Sequence, residues 1–200
     1  AAQGNESGQL PSDMEGVYEQ DLPVVLSAMR LKQPRSEVPG SITVITAEQI
    51  EAWGARTIPE LLRYVPGMVI GHTHYENNTT VSYHISNPNL MRRMQVMVDG
   101  RSVYKNGIAA VIWDDIPVAL EDIARIEVVR GPNSASYGAN AFMSTINIIT
   151  KDPIETLGAR VRYRSGNKGE NDAFISQSGL IGEGSYRISA SMMQHDGFDN

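Results

Sequence analysis

Histidines with metal-ligand chemistry stand close together in one part of this sequence. His72 and His74 are two residues apart, and Tyr75 and Glu76 follow directly. Side chains at positions i and i+2 of a strand point to the same side, so the two imidazoles could bind one metal ion. No third ligand follows at a diagnostic spacing, and a polar, solvent-facing loop accounts for the same residues. We therefore predict a polar loop here and no metal site.

Three methionines, Met91, Met94 and Met97, form a series that could bind a soft metal. Met97 stands in an apolar, strand-like segment, however, and methionine more often fills gaps in a core. The sequence contains no nucleophile elbow, no phosphate-binding loop, no paired-carboxylate motif and no cysteine. We predict neither an enzyme nor a bound cofactor.

Composition narrows the possible classes of protein. The chain has 200 residues, of which 41% are hydrophobic, and a net charge of −6. This composition supports a core, and the negative charge argues against a nucleic-acid partner. No apolar run approaches the ~20 residues of a transmembrane helix. The chain begins Ala1-Ala2-Gln3, as a mature protein does after signal-peptide removal, although an excised segment would begin in the same way.

Strands and helices alternate over residues 41–152. Ser41–Ile45 is β-branched and strand-like, and Thr46–Gln49 has capping-box spacing for a helix that ends at Gly54. The same device recurs at Thr57–Glu60, before a second helix with apolar residues at i, i+3, i+4 and i+7. Further strands are predicted at Met68–Gly71, Val81–Ile85, Gln95–Val98, Arg101–Tyr104, Ile126–Val129 and Ile146–Thr150.

Two connections between these elements also carry local signals. Asp99-Gly100 suits the two-residue turn of a hairpin with positive φ. Pro117–Ile123 is predicted to be a short helix that enters the Ile126 strand. The mixture of strands and helices indicates an α+β domain with a small mixed sheet.

The pattern changes after Pro153. Apolar residues at 157, 159, 161 and 163 alternate with Gly158, Arg160, Arg162 and Arg164. A period of two repeats at intervals of about ten residues, which is typical of transmembrane β-barrel strands with lipid on one side. Three strands cannot close a barrel and open edges are not tolerated in lipid, so we expect the chain to be the front of a longer protein.

The stretch Arg125–Lys151, RIEVVRGPNSASYGANAFMSTINIITK, carries a family resemblance. It resembles the end of the plug domain in TonB-dependent outer-membrane receptors, in which such a run leads into a large β-barrel. Leu61–Gly67 matches the L-L-x-x-x-P-G of that family, and Val98–Gly100 matches its V-D-G. Two positions depart from it, because Met143–Thr145 replaces small Gly-rich residues and His84-Ile85 replaces an Arg-Gly pair.

The resemblance implies an α+β plug domain, a small mixed β-sheet with short helices, followed by the first antiparallel strands of a transmembrane β-barrel. The expected organisation is a flexible segment at 1–40, a plug domain at 41–152 and the start of the barrel at 153–200. The expected location is the outer membrane of a Gram-negative bacterium, with the plug inside the barrel and the N-terminus in the periplasm. The short tail leaves no room for the extra signalling domain that some members carry.

A short apolar run before the plug could bind a partner. Pro23 disfavours a helix, and Pro34 and Pro39 follow, so the run is expected to be isolated in a linker, without a neighbouring strand. Such a segment suits β-augmentation by a partner, although an edge strand of the next domain would have the same composition. The run resembles the TonB box, which assigns TonB binding to Asp21, Leu22, Pro23, Val24, Val25, Leu26, Ser27 and Ala28.

By resemblance, the function is active transport of a scarce nutrient across the outer membrane. The cargo is a small-molecule metal chelate, most often a ferric siderophore, with haem, cobalamin or another metal complex as alternatives. The other partners are TonB and outer-membrane lipid. Two other classes remain open: a soluble periplasmic module that binds metal through His72 and His74, and a passive pore with a structural plug.

The resemblance also assigns residues to ligand and barrel contacts. Ligand binding is expected at exposed side chains of two loops, 72–80 and 104–113, namely His72, His74, Tyr75, Tyr104 and Trp113. Plug–barrel contacts are expected at Arg125, Glu127 and Arg130, paired with carboxylates of the barrel wall. Exposed ion pairs are individually weak, so such an interface would let a plug shift.

Overall fold

The structure is a computed structural model that describes residues 24–25, 33–34, 41–72, 79–84, 94–105, 107, 110–131, 141, 143–167 and 169–194. The strands are β1 (Val24–Val25), β2 (Gln33–Pro34), β3 (Ser41–Thr46), β4 (Met68–His72), β5 (Thr79–Tyr83), β6 (Met94–Val98), β7 (Arg101–Ser102), β8 (Ile123–Arg130), β9 (Ser144–Thr150), β10 (Gly158–Ser165), β11 (Asn171–Ile181) and β12 (Gly184–Gln194). The helices are α1 (Ala47–Trp53) and α2 (Ile58–Leu62), with 3₁₀ turns at Trp113–Asp115, Leu120–Asp122 and Pro153–Thr156.

A five-stranded mixed sheet with the order β3-β8-β9-β6-β7 forms the centre of the plug. β8 is antiparallel to β3 and β9, whereas β9 is parallel to β6. Opposite residues such as Ile126 and Ile148 are fully buried, because each contributes to the single large core beneath α1 and α2. The predicted α+β plug with a small mixed sheet is confirmed.

Both helices begin and end as the sequence predicts. Thr46 accepts a hydrogen bond from the Gln49 backbone, and the Gln49 side chain accepts one from Thr46 N–H, which completes the capping box. Gly54 ends α1 in the left-handed conformation with φ 65°. Thr57 caps α2 by accepting from Glu60 N–H. These caps satisfy backbone groups that a short helix leaves without intrahelical partners.

The Asp99-Gly100 hairpin between β6 and β7 is also confirmed. Both turn residues have positive φ, 47° at Asp99 and 75° at Gly100, as a two-residue turn with the twist of its strands requires. The Asp99 carboxylate accepts hydrogen bonds from Thr150 N–H and Thr150 Oγ1, both at 2.9 Å. The turn is therefore fixed to the end of β9.

Two predicted elements differ from the structure. Pro117–Ile123 is not a helix: two 3₁₀ turns flank an extended stretch, because the residue before a proline avoids helical dihedrals and Ile116 has ψ 113°. The predicted strand Val81–Ile85 is β5 at Thr79–Tyr83. It ends where His84 takes a positive φ of 52°, and Ile85 lies outside the described residues.

β10, β11 and β12 form a separate antiparallel sheet. Phe174, Ser176 and Ser178 on one face are buried, whereas Val161 and Ile188 on the other face are 74% and 70% exposed. The predicted alternation of an apolar and a polar face is confirmed. None of the helices in the described part of the chain has the length and apolar character needed to cross a membrane.

The prediction that the apolar run near the N-terminus has no strand neighbour is wrong. β1 pairs antiparallel with β2, with Val24 opposite Pro34 and Val25 opposite Gln33. An extended segment has free backbone donors and acceptors, and closing a loop of only a few residues to the next extended segment costs little entropy. The other predicted TonB-binding residues, Asp21, Leu22, Pro23, Leu26, Ser27 and Ala28, lie outside the described residues.

Candidate functional site

The predicted ligand residues fall on two loops of the plug. His72 is the last residue of β4 and lies opposite Thr79 in the ladder to β5, while His74 and Tyr75 lie outside the described residues. Tyr104 follows β7, is half-buried and packs against the core, so only part of it is available to a ligand. In the described part of the chain, no group of three or more His, Cys, Asp or Glu side chains could hold a metal ion.

Trp113 corrects one expectation, because it is buried where the sequence predicted an exposed side chain. It is 5% exposed and belongs to the core cluster together with Ile116 and Leu61. The two carboxylates that follow it suggest a surface loop, but the 3₁₀ turn holds Asp114 and Asp115 outward and directs the indole inward. Its Nε1 has no hydrogen-bond partner among the described residues.

The predicted plug–barrel residues pair within the plug instead. Arg125 and Glu127 lie two residues apart on β8 and therefore on the same face. Arg125 Nε donates to Glu127 Oε1 at 2.7 Å, and the Glu127 side chain is fully buried. Arg130 Nε is buried without a partner among the described residues. A contact of these residues with carboxylates of a barrel wall stays a prediction.

The ion pairs that join the two sheets involve residues that sequence reasoning missed. Arg56, in the link between α1 and α2, reaches β11 and the turn before it. Its Nε and Nη2 donate to the two carboxylate oxygens of Asp172 at 2.8 and 2.5 Å, and its Nη1 lies 2.8 Å from Glu170. Its Nη2 also donates to the Gln194 backbone oxygen at 3.0 Å, at the end of β12. The hydrogen bonds and charge of Asp172 raise the pKa of Arg56 above its usual range, so the guanidinium is always charged.

A second cluster centres on Asp122, in the 3₁₀ turn before β8. Its Oδ1 accepts from Arg160 Nη2 at 2.6 Å and lies 3.3 Å from Arg187 Nε. Arg187 Nη1 also donates to the Lys151 backbone oxygen at 2.7 Å. The Asp122 side chain is only 7% exposed, so its charge is stabilised by these guanidinium groups and not by water.

Arg162 and Arg164 join the two sheets between these clusters. Arg162 pairs with Glu51 on α1, and its Nη1 lies 3.6 Å from Glu121. Arg164 Nη1 donates to the backbone oxygen of Gly54 at 3.2 Å, where a cation is favoured by the free carbonyl groups of a helix C-terminus. The alternate positions 160, 162 and 164 thus present three guanidinium groups to the plug on one face of β10.

The signal for this interface was half visible in the sequence. The alternating arginines of β10 predict a polar face, but no local pattern singles out Asp122, Glu51 or Arg56 as their partners. The signs are also the reverse of the expected ones: apart from Arg56, the arginines lie on the strands and the carboxylates on the plug. What the geometry can do is hold the three strands against the plug by polar contacts while the opposite face of the strands stays apolar.

Comparisons with known proteins agree with this architecture. The sequence profile of the TonB-dependent Receptor Plug Domain matches residues 34–145. The vitamin B12 transporter BtuB of Vibrio vulnificus is 29% identical over 177 residues, which cover 88% of this chain and 28% of that protein. BtuB of Photobacterium profundum is 32% identical over 192 residues, which cover 94% of this chain and 31% of that protein. The chain thus spans less than a third of the length of these curated relatives.

A solved structure supports the same fold. The pyoverdine outer membrane receptor FpvA from Pseudomonas aeruginosa PAO1, bound to pyoverdine, superposes with a TM-score of 0.67 at 22% identity. The match covers 88% of this chain and 26% of that one. The profile match extends over more than half of the chain, from β2 to β9. The chain therefore belongs to the TonB-dependent receptor plug-domain family, whose members are outer-membrane receptors with the plug inside a β-barrel.

Proposed function

We propose that this protein is a TonB-dependent active transporter that imports a small-molecule metal chelate across the outer membrane. The observation that carries the proposal is the polar interface between the plug and β10–β12. A plug held by guanidinium–carboxylate contacts can move along a wet wall without exposing its core, because such contacts are readily exchanged for water. The exposed apolar side chains on the opposite face of the strands suit contact with lipid.

The cargo is proposed as a class with two named candidates. A ferric siderophore is the first candidate, because it is the most common cargo of the resembled family. Cobalamin is the second, and the specific observation in its favour is that two relatives at 29% and 32% identity are vitamin B12 transporters. Both are bulky chelates, which suits recognition by aromatic and imidazole side chains.

The proposed cargo contacts lie on the β4–β5 and post-β7 loops. His72, His74, Tyr75 and Tyr104 remain the proposed ligand residues. Tyr104 packs against the core, so its substitution should preserve the ring: Tyr104→Phe removes only the hydroxyl group. His74→Ala combined with Tyr104→Phe should weaken cargo binding while the thermal unfolding temperature stays near that of the wild type. Unchanged affinity in this double variant would contradict the assignment.

Coupling to energy is proposed to occur at residues 21–28. TonB would add a strand to the Val24–Val25 backbone, with affinity from main-chain hydrogen bonds and specificity from alternate side chains. Energy would come from the inner-membrane proton gradient as mechanical force, so the transporter itself needs no nucleotide site. The N-terminal segment is accordingly proposed to lie in the periplasm.

Uptake by cells that express the protein from its complete gene tests the proposal. A panel of labelled ferric siderophores, haem and cobalamin should yield one cargo whose accumulation stops when the proton gradient is dissipated. Accumulation that is indifferent to the gradient would favour a passive pore. Recovery of the protein in the soluble periplasmic fraction would favour the metal-binding module, and either result would overturn active transport.

A further inference from the structure

A cavity of about 430 Å³ lies between the plug and the inner face of β11 and β12. Its walls come from the 113–122 connection, the start of α2 and the two strands. Cavities of this size are large enough for a small organic molecule or one arm of a larger one. The cavity is separate from the two loops to which cargo contacts are assigned above, and its polar groups indicate what it would bind.

A buried donor and a free acceptor stand next to each other in this cavity. Trp113 lines it and is 5% exposed, and its indole N–H has no hydrogen-bond partner among the described residues. Buried N–H groups are normally satisfied, so this one is suited to a bound acceptor. Asp114 also lines the cavity, is exposed, and forms no ion pair or hydrogen bond with the described part of the chain.

The arginines of the cavity wall already have partners, which disfavours an anionic ligand. Arg56 is held by Asp172, Arg162 by Glu51, and Arg164 by backbone oxygens of the plug. Among the described residues, the cavity thus keeps one unpartnered N–H donor and one unpaired carboxylate. A neutral group that both accepts and donates hydrogen bonds satisfies both.

The remaining wall is apolar. Ile58 and Ile116 contribute aliphatic surface from the plug, and Phe174 and Met193 contribute surface from the strands. An aromatic ring and a thioether accommodate flat or irregular apolar groups. The polar pair and the apolar wall together describe a ligand with an apolar body and one compact polar end.

We infer that this cavity binds a primary amide attached to an apolar body. The amide carbonyl accepts from Trp113 Nε1–H, and the amide N–H donates to the Asp114 carboxylate. If the proposed transport function holds, the cavity is a second contact for an amide-bearing cargo, between the ligand loops and the far end of the plug. The site itself does not depend on that function, because it is defined by the side chains alone.

Indole resonances provide a direct test, because the chain contains only two tryptophans. The ¹⁵N-labelled full chain in detergent micelles is titrated with propionamide, and the indole N–H signals of Trp113 and Trp53 are followed. The Trp113 signal should shift in a saturable manner while the Trp53 signal stays in place. Propionate, which has the same size and a negative charge, should bind at least about tenfold more weakly, since it brings no N–H donor and repels Asp114.

Variants separate the two contacts. Trp113→Phe removes the N–H and keeps an aromatic ring, Asp114→Ala removes the acceptor at an exposed position, and Trp53→Phe is the matched control outside the cavity. Asp114→Ala should weaken propionamide binding about threefold to tenfold, read from the Trp113 signal, and Trp53→Phe should leave it unchanged. Trp113→Phe is scored from the Phe174 ring signals.

Three results would overturn the inference. They are the absence of a saturable Trp113 shift in the wild-type chain, equal binding of propionate, and an unchanged affinity in Asp114→Ala. Because Asp114 is exposed, this variant remains informative even if Trp113→Phe fails to fold. None of these outcomes depends on transport, so failure here leaves the proposed function intact, and failure of energised uptake leaves the amide site intact.

Discussion

The guanidinium of Arg56 and the carboxylate of Asp172 form a bidentate pair, with Nε–Oδ2 and Nη2–Oδ1 distances of 2.8 and 2.5 Å. The two residues are 116 positions apart and belong to different sheets. Both side chains are more than four-fifths buried, so the pair is little screened by water. This contact joins the link between the plug helices to the first strands that follow the plug.

Arg56→Ala should lower the free energy of unfolding by about 1–3 kcal/mol, the usual range for hydrogen bonds to charged groups. Arg56→Lys should recover less than half of the loss, because an ammonium group cannot make the two parallel hydrogen bonds. Urea denaturation followed by tryptophan fluorescence measures the change, and Arg63→Ala, at an exposed arginine, is the control. An Arg56→Ala variant as stable as Arg63→Ala would show that the pair contributes nothing.

A second prediction concerns the buried carboxylate of Asp122. Asp122→Ala leaves Arg160 and Arg187 close together without their shared counter-charge, and breaking such a pair costs about 3–5 kcal/mol. We expect a much lower thermal unfolding temperature and faster hydrogen exchange in β10 and β12. Glu183→Ala, at an exposed turn residue, should leave both unchanged. If the two variants unfold at the same temperature, the proposed importance of this cluster is refuted.

The caps and the hairpin were predictable because their signals are local. Thr46 and Gln49 are three residues apart, and Asp99-Gly100 specifies its turn through the dihedrals that it tolerates. Sheet contacts across many residues leave no such mark. Nothing in the neighbourhood of Arg56 indicates that its partner is Asp172, and the sequence marks β10 only as a strand with a charged face.

The burial of Trp113 was missed for the same physical reason. A tryptophan followed by two aspartates resembles an exposed aromatic residue of a binding loop, and only packing against Leu61 and Ile116, which are distant or separately placed in the chain, buries it. The β1–β2 ladder was missed because a two-residue pairing has almost no sequence signature. Local chemistry predicted the elements, and long-range packing decided which side chains meet.

The hairpin turn provides a third prediction. Asp99→Ala removes both acceptors for Thr150 and places a residue with a β-carbon and no local hydrogen bond at positive φ, so stability should fall by about 1–3 kcal/mol. Asp99→Asn keeps one acceptor and tolerates the left-handed conformation, so it should lose less than half as much. Equal losses in the two variants, measured by urea denaturation, would mean that the Thr150 contacts are energetically irrelevant.

The exposed apolar face of β10–β12 predicts the behaviour of the chain in water. Val161, Tyr163 and Ile188 are each at least 69% exposed, which is more than a soluble surface normally presents in one patch. The 200-residue chain should aggregate without detergent, whereas a shortened chain that ends at Asp152 should stay monomeric in light scattering. If both stay monomeric, the apolar face has no need of lipid and the barrel-strand interpretation is wrong.

The last prediction concerns energy coupling at β1. A proline at position 25 removes one backbone N–H and fixes φ, so Val25→Pro should prevent strand addition by TonB. Val25→Ala keeps the backbone groups and should be milder, which makes it the matched control. The ligand loops are at least 47 residues further along the chain, as His72 is the first of their residues. Val25→Pro should therefore abolish accumulation of labelled chelate in energised cells and leave its binding to chilled cells near the wild-type level. Normal energised accumulation by Val25→Pro would exclude this segment as the coupling element, whereas loss of binding as well would indicate a folding defect and assign no coupling role to it.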